Sequence, residues 1–377
     1  LDNNLGYYGA DLGRMPVTAF SNRGARSGYA VNLFCRISLL ADLLVTCNHN
    51  NTDGDGSSSL PPHFTKGICD LLSIHDHHNN HDTSENDVNN EIETETSKTC
   101  HLVSIGGACG YDYVSLALVA TFHSSWNPGS SSTSSPVIVQ ATVFDYEEGW
   151  EDLIHAMSVS TSTALQYYDN NNNTNHNQNH SCTFGGKCDI TKSLLSDPVN
   201  AAMSTREVLD KTDLYTCQYC VAENAVELRE SNFIFFTELF NEAKIGSMFV
   251  FTETTHRLWP ELLDVALVTA TTTMHTEEQP QGEDQKMGTV SPFSFEAGFP
   301  GVGGRNKTGR QMVLRKIMKA EEEAVSAVTK NNTISCNDVN NIQILCEEFR
   351  RDNRMHEQRL KNGIVRQKKK RSAVGNK

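Results

Sequence analysis

Residues His101–Phe122 read HLVSIGGACGYDYVSLALVATF. A short apolar strand, 102–105, runs into Gly106-Gly107-Ala108-Cys109-Gly110 and straight on into an apolar helical pattern over 112–122. A turn needs one glycine, or two. Three within five residues, between a strand and a helix, indicate that another group must approach the backbone there.

The same alternation continues on the C-terminal side. Strand 137–145 (VIVQATVFD) precedes a helix over about 149–166. Strand 213–223 (DLYTCQYCVAE) precedes a long helix, 224–244. Gly246 introduces strand 247–254 and a helix over 260–270. Two strand-like pieces, 290–296 and 311–316, flank the Gly-rich GFPGVGGRNKTG and read as a closing hairpin. Strands alternating with helices predict an open, mostly parallel α/β sheet with an antiparallel pair at its end.

Around this core the chain is irregular. Leu33, Ile37, Leu40 and Leu44 form an apolar stripe on a helix over 29–45, within an N-terminal helical cap region, 1–74. Residues 75–99 are rich in His, Asn, Asp and Glu, and read as a disordered low-complexity linker. Polar inserts occupy 123–136 and 169–181, and two helical patterns plus a basic tail fill 317–377. Apolar residues make up 38% of the chain; the shortfall sits in these tracts, so the remainder can still build a normal core.

The net charge of −14 is uneven. Residues 350–377 carry eleven Lys/Arg against two acidic residues, and the rest of the chain is acidic. An acidic body excludes broad electrostatic binding of nucleic acid; the tail leaves a local contact with RNA or a nuclear protein open. Eleven scattered cysteines, several in apolar runs, suggest reduced thiols and an intracellular location, nucleus or cytoplasm. No apolar run reaches membrane-spanning length. The chain begins at Leu1 without Met, which leaves room for an upstream segment.

A pyrophosphate-binding turn needs G-x-G-x-x-G. From Gly106 the other two positions are Ala108 and Tyr111; from Gly107 they are Cys109 and Asp112, so both registers fail. The stretch Ser104-Ile105-Gly106-Gly107-Ala108-Cys109-Gly110 instead resembles motif I of the class I S-adenosylmethionine-dependent methyltransferases. It departs from the pattern at Ser104, where an acid is usual, and at Ala108, where the middle glycine is usual. Divergent members with SIGGGPG-x-D are closer. The resemblance covers about 100–316. It implies a Rossmann-like, mostly parallel seven-stranded sheet with helices on both faces and a terminal antiparallel hairpin. It also implies S-adenosylmethionine as cofactor, with Ser104, Gly106, Gly107 and Gly110 in its turn and Asp112 at its methionine end.

The next acid lies where the resemblance wants it. Asp145 is 35 residues past Gly110, and 21 once the 14-residue Ser-rich insert is set aside. Such an acid takes the ribose hydroxyls. Tyr146 would lie along the adenine, and Trp150 would pack the following helix. In Lys187-Cys188-Asp189-Ile190-Thr191, the resemblance assigns Asp189 to the adenine amino group and Ile190 to an apolar wall. The end of the fourth strand faces the methyl group in that family. Tyr219, Glu223 and Glu253 are the candidate catalytic residues, with His256 a further base. The acceptor stays unidentified, with RNA or protein open.

Competing readings accompany each motif. Asp145 and Asp189 also suit helix caps. Cys217-Gln-Tyr-Cys220 has zinc-ligand spacing, but within a strand positions i and i+3 point to opposite faces, which favours buried thiols. His75, His77, His78 and His81 read as polar low complexity. For the whole chain, a catalytically inactive partner protein of the same fold and a nicotinamide-dependent oxidoreductase stay open as alternatives.

Overall fold

In the computed structural model, the described residues are 20–32, 35–49, 60–72, 98–122, 137–171, 179–253, 258–271, 292–300 and 310–319. The insert 123–136, nearly all of the linker, His256 and everything after 319 lie outside them. Seven strands form one sheet: β1 (Lys98–Ile105), β2 (Val137–Asp145), β3 (Ser181–Lys187), β4 (Leu214–Gln218), β5 (Met248–Glu253), β6 (Phe293–Gly298) and β7 (Arg310–Met318). Their order is β3-β2-β1-β4-β5-β7-β6. The first five are parallel, and β7 runs antiparallel to both β5 and β6. The sheet is Rossmann-like and closes on the hairpin expected from its sequence. Strand order reverses between β1 and β4, where open α/β sheets bind ligands past the carboxyl ends of the strands.

Alternation along β1 sends Leu102 to one core and Val103 and Ile105 to the other. Helices α1 (Arg23–Asn32), α2 (Cys35–His49), α3 (Pro62–Leu71), α4 (Tyr111–Phe122) and α5 (Glu151–Asn171) contribute to the first core. On the opposite face lie α6 (Arg206–Lys211), α7 (Ala225–Glu230), α8 (Ile234–Glu242) and α9 (Trp259–Thr271), around Phe235, Phe236, Phe240, Phe249 and Phe251. Of the N-terminal stripe, Leu40 and Leu44 are fully buried. No single helix among the described residues is long and apolar enough to cross a membrane.

Several boundaries differ from the sequence reading. The helix read over 29–45 falls on α1 and α2, with 33 and 34 outside the described residues. β1 starts at Lys98, so the linker cannot extend to 99. The pattern over 224–244 is two helices broken at Asn232 and Phe233, which adopt left-handed φ of 52° and 55°. Residues 317 and 318 continue β7 rather than starting a helix.

The N-terminal helices dock onto the last strands. Glu296 on β6 accepts from the backbone N–H groups of His63 (3.2 Å) and Phe64 (2.8 Å), satisfying two donors at the start of α3. Arg315 on β7 donates to the His63 carbonyl, and Gln311 to that of Leu39 at 3.0 Å.

Asp112, in the first turn of α4, is 2% exposed. Its carboxylate accepts from Ser104 Oγ (2.5 Å), Thr216 Oγ1 (2.5 Å) and Gln218 Nε2. One buried anion thus joins β1, β4 and α4. Asp112→Ala strands three buried donors, and the expected loss is roughly 2–4 kcal/mol. Urea unfolding with an unchanged m-value would report it; an unchanged midpoint would remove Asp112 as the junction.

Candidate cofactor site

The turn after β1 alternates conformation. Gly106, Ala108 and Gly110 have φ of 62°, 49° and 87°. For Ala108 the left-handed conformation costs about 1–2 kcal/mol, so the non-glycine residue is tolerated at a price in strain. Gly107 is glycine for a different reason: a Cβ there would sit 2.1 Å from Ser104 Oγ and 3.0 Å from Val143 Cγ1. It lets α4 and its turn close down on the sheet.

The turn and the end of β2 meet. Ala108 N–H donates to Asp145 Oδ2 at 3.1 Å, and Glu147 N–H to Asp145 Oδ1 at 3.1 Å. Burial pushes the Asp145 carboxyl up to about 6, against the pull of those two N–H groups and of Arg36. The chain then turns through Glu147, whose side chain caps a short 3-10 turn by accepting from Gly149 N–H at 3.1 Å.

A cavity of about 250 Å³ opens above these strand ends. The β1–β2 side supplies Gly106, Ala108, Asp145 and Tyr146, and the loop after β3 supplies Asp189 and Ile190. The exit of β4 supplies Gln218, Tyr219, Cys220 and Glu223. Of the nine residues that the sequence reading assigned to the cofactor, five line the cavity: Gly106, Asp145, Tyr146, Asp189 and Ile190. Ser104, Gly107, Gly110 and Asp112 do not line the cavity. Gly107 and Gly110 shape the turn itself, Ser104 and Asp112 are bonded to each other, and Asp112 is linked to the cavity through Gln218.

Asp189 is held by its own loop. Its Oδ1 accepts from Thr191 N–H (2.9 Å) and Thr191 Oγ1 (2.6 Å), and Asn200 Oδ1 accepts its N–H at 2.8 Å. This is a local turn rather than a helix cap. Ile190 is 7% exposed and forms an apolar wall; Tyr146, 49% exposed, stands at the rim.

At β4 the strand ends at Gln218, earlier than the sequence pattern implies. Tyr219 takes a left-handed φ of 62° and its N–H donates to the Thr252 carbonyl at 2.7 Å. The reversal brings Cys217 Sγ and Cys220 Sγ to 2.8 Å, so the two sulfurs do not point to opposite faces. The i, i+3 rule for strands fails here because the segment is no longer a strand. Both remain thiols, and burial helps push both pKa values up, for Cys220 after its hydrogen bond to Cys217. No group of three or more metal-ligating side chains is gathered among the described residues.

The candidate carboxylates separate. Glu253, 2% exposed, uses Oε1 to accept from Val221 N–H (2.7 Å) and Ala222 N–H (3.1 Å). It clamps the β4 exit loop and does not line the cavity. Glu223 does line it, and accepts no hydrogen bond among the described residues. Burial pushes Glu223 up to about 7, with Asp145 adding and Arg36 opposing.

Sequence reasoning named no site residue from the N-terminal helices. Phe20 and Tyr29 line the cavity and pack against Trp150 at 5.4 and 5.7 Å between ring centroids. Trp150 therefore faces the cavity and these rings as well as its own helix. Arg36, a lone cation in the apolar run LFCRISLLADLL, was the available signal.

No family model matches the chain, and no curated protein matches it. Solved structures that are similar include a SAM-dependent methyltransferase from Methanosarcina mazei, at 12% identity and TM-score 0.30 over 62% of this chain and 99% of that one. A TehB-like SAM-dependent methyltransferase from Corynebacterium glutamicum is similar at 10% identity and TM-score 0.30, over 59% and 82%. A 16S rRNA (adenine(1408)-N(1))-methyltransferase from Catenulisporales acidiphilia is similar at 12% identity and TM-score 0.28, over 59% and 86%. Superposition this loose adds no weight to any residue's role, which rests on the geometry above.

Proposed function

We propose that the chain binds S-adenosylmethionine and transfers its methyl group to an acceptor still to be identified. The observation that carries this reading is the Ala108–Asp145 hydrogen bond of 3.1 Å, which sets the carboxylate ending β2 against the turn ending β1 on the floor of one cavity.

The residues fit the adenosine half. Each Asp145 oxygen accepts one backbone N–H, which leaves lone pairs for two vicinal hydroxyls. Asp189 keeps Oδ2 free for an exocyclic amino group, while Ile190 and Tyr146 offer faces to a flat base. When bound, the cofactor supplies a methyl group on a cationic sulfur that becomes neutral as the methyl leaves.

What remains for the chain is orientation and charge. Asp145, Glu147, Asp189, Glu223 and Glu227 line the cavity, and among the described residues no Lys or Arg does. That lining suits a cation. Glu223, with a pKa of about 7 and no hydrogen-bond partner among the described residues, can take and hold a proton from the attacking atom of the acceptor. Tyr219 lines the cavity with it. Glu253 belongs to the scaffold beneath. The basic segment 350–377 adds an RNA or nuclear-protein partner to the proposal, on charge alone.

Asp145→Ala is expected to weaken S-adenosylhomocysteine binding by more than roughly tenfold in calorimetry, with the circular dichroism spectrum unchanged. Unchanged affinity would mean that the ribose is held elsewhere. Failure of the wild-type protein to bind at all would leave a partner-binding scaffold of the same fold.

Glu223 gives a pH signature. It is neutral below about 7 and negative above, so ionisation favours a sulfonium over a neutral thioether. The preference for S-adenosylmethionine over S-adenosylhomocysteine should rise by roughly fivefold from pH 6 to 8. In Glu223→Gln the ratio should stay flat; a flat wild-type ratio removes Glu223 from the charged wall. Truncation after Leu360 should reduce RNA affinity and its salt dependence, and the RNA clause is lost if filter binding finds neither changed.

A further inference from the structure

The exit of β4 brings together two nucleophiles that the cofactor reading does not use. Tyr219 turns left-handed between Cys217 and Cys220, and their Sγ atoms lie 2.8 Å apart. Both are free thiols. Cys188, on the same cavity, shows the ordinary buried case: its sulfur meets Met203 Sδ at 3.7 Å, a pair with no bond to form.

The turn that joins the two thiols is held from three sides. Tyr219 N–H donates to the Thr252 carbonyl at 2.7 Å, Asn224 Nδ2 donates to the Cys220 carbonyl at 2.7 Å, and the Arg36 guanidinium carbon lies 4.9 Å from the Tyr219 ring centroid. The fold therefore imposes the sulfur contact. A disulfide holds its sulfurs about 2.05 Å apart, so less than about 1 Å of approach remains.

The two sulfurs differ in access. Cys217 is 2% exposed and does not line the cavity, whereas Cys220 is half-buried and does. A reagent in the cavity meets Cys220 first. Cys220 also touches the turn after β1. Its Sγ lies 3.7 Å from the Ile105 carbonyl, and its Cβ and Sγ each lie 3.0 Å from where a Cβ on Gly106 would stand. A change at Cys220 is thus felt by the residue that begins that turn. Burial raises the pKa of Cys217; the hydrogen bond to Cys217, and then burial, raise that of Cys220. Little of either is thiolate at neutral pH, so the first attack is slow and closure relies on contact.

We propose that Cys217 and Cys220 are a reversible thiol–disulfide pair on the cavity wall, oxidised by a low-molecular-weight disulfide. Cys220 attacks the reagent, whose S–S bond breaks. A mixed disulfide forms on Cys220, and one reagent thiol leaves with the Cys220 proton. Cys217 then attacks the Cys220 sulfur, the mixed disulfide breaks, and the second reagent thiol leaves with the Cys217 proton. The protein gives up two hydrogens, and the reagent is reduced to two thiols. The assignment stands whether or not the cavity takes S-adenosylmethionine.

The test incubates the full chain, folded or in urea, with bis(2-hydroxyethyl) disulfide, followed by acid quench, alkylation, trypsin and mass spectrometry. Both cysteines fall on one tryptic peptide, 212–229, which contains no other cysteine. In the folded protein the internal disulfide should exceed the mixed disulfide in that peptide by at least about tenfold. In urea that ratio should be lower by at least about tenfold. Cys217→Ser should accumulate the mixed disulfide on Cys220, and Cys220→Ser should leave Cys217 unmodified. A wild-type peptide that stays reduced, or carries reagent on both sulfurs, overturns the pair without any variant. Equal ratios in the folded and unfolded chains overturn it too, since the fold would then add nothing. Reagent on Cys217 in Cys220→Ser overturns Cys220 as the point of entry.

Discussion

The buried carboxylate of Asp112 is the constraint on which the rest of the site depends. It gathers the side chains of Ser104, Thr216 and Gln218 from the two strands that flank the reversal of strand order. Three side-chain hydrogen bonds satisfy its oxygens in the first turn of α4, where water does not reach them. Because its donors come from neighbouring parallel strands, the floor of the cavity is a single bonded unit. Gln218 carries this order to the cavity wall, since its amide nitrogen is tied to Asp112 and the residue lines the cavity.

Above that floor, two reversals of the backbone shape the walls. One is the turn through Gly106 and Ala108, which offers Asp145 a backbone N–H. The other is the left-handed Tyr219, locked by Thr252 and by the Glu253 clamp. The strain held at Ala108 and Tyr219 is over-determined by these contacts. Burial then sets the electrostatics. Burial pushes two cavity carboxyls up, Asp145 to about 6 and Glu223 to about 7, and the charge of Arg36 restrains both.

Much of this was legible in the residues. The run from His101 to Phe122 announced strand, turn and helix, and Asp145 came into register once the Ser-rich insert was recognised. Asp189 and Ile190 line the same cavity as Asp145. What escaped notice was non-local. Nothing in VAENAVELRESNFIFFTELF signals that Asn232 and Phe233 break the helix, since the apolar pattern continues across them. The meeting of Cys217 and Cys220 follows from one backbone angle at Tyr219, which residue type does not encode. Glu223 and Glu253 look alike in sequence; burial and two backbone N–H groups make one a clamp and leave the other open. Arg36 lies more than 180 residues before Tyr219, and only the docking of α2 brings them together.

That docking has a consequence for the order of assembly. Glu296 reaches back 232 residues to the N–H of Phe64. A ribosome releases α1, α2 and α3 long before β6 and β7 exist. Helices α1 and α2 already have α4 to rest on, through Tyr111 and Ser115, but until the closing hairpin emerges the start of α3 lacks its partner, and contacts of such long sequence separation form late. The N-terminus of α3 is thus among the last pieces seated, after the parallel strands have already come together.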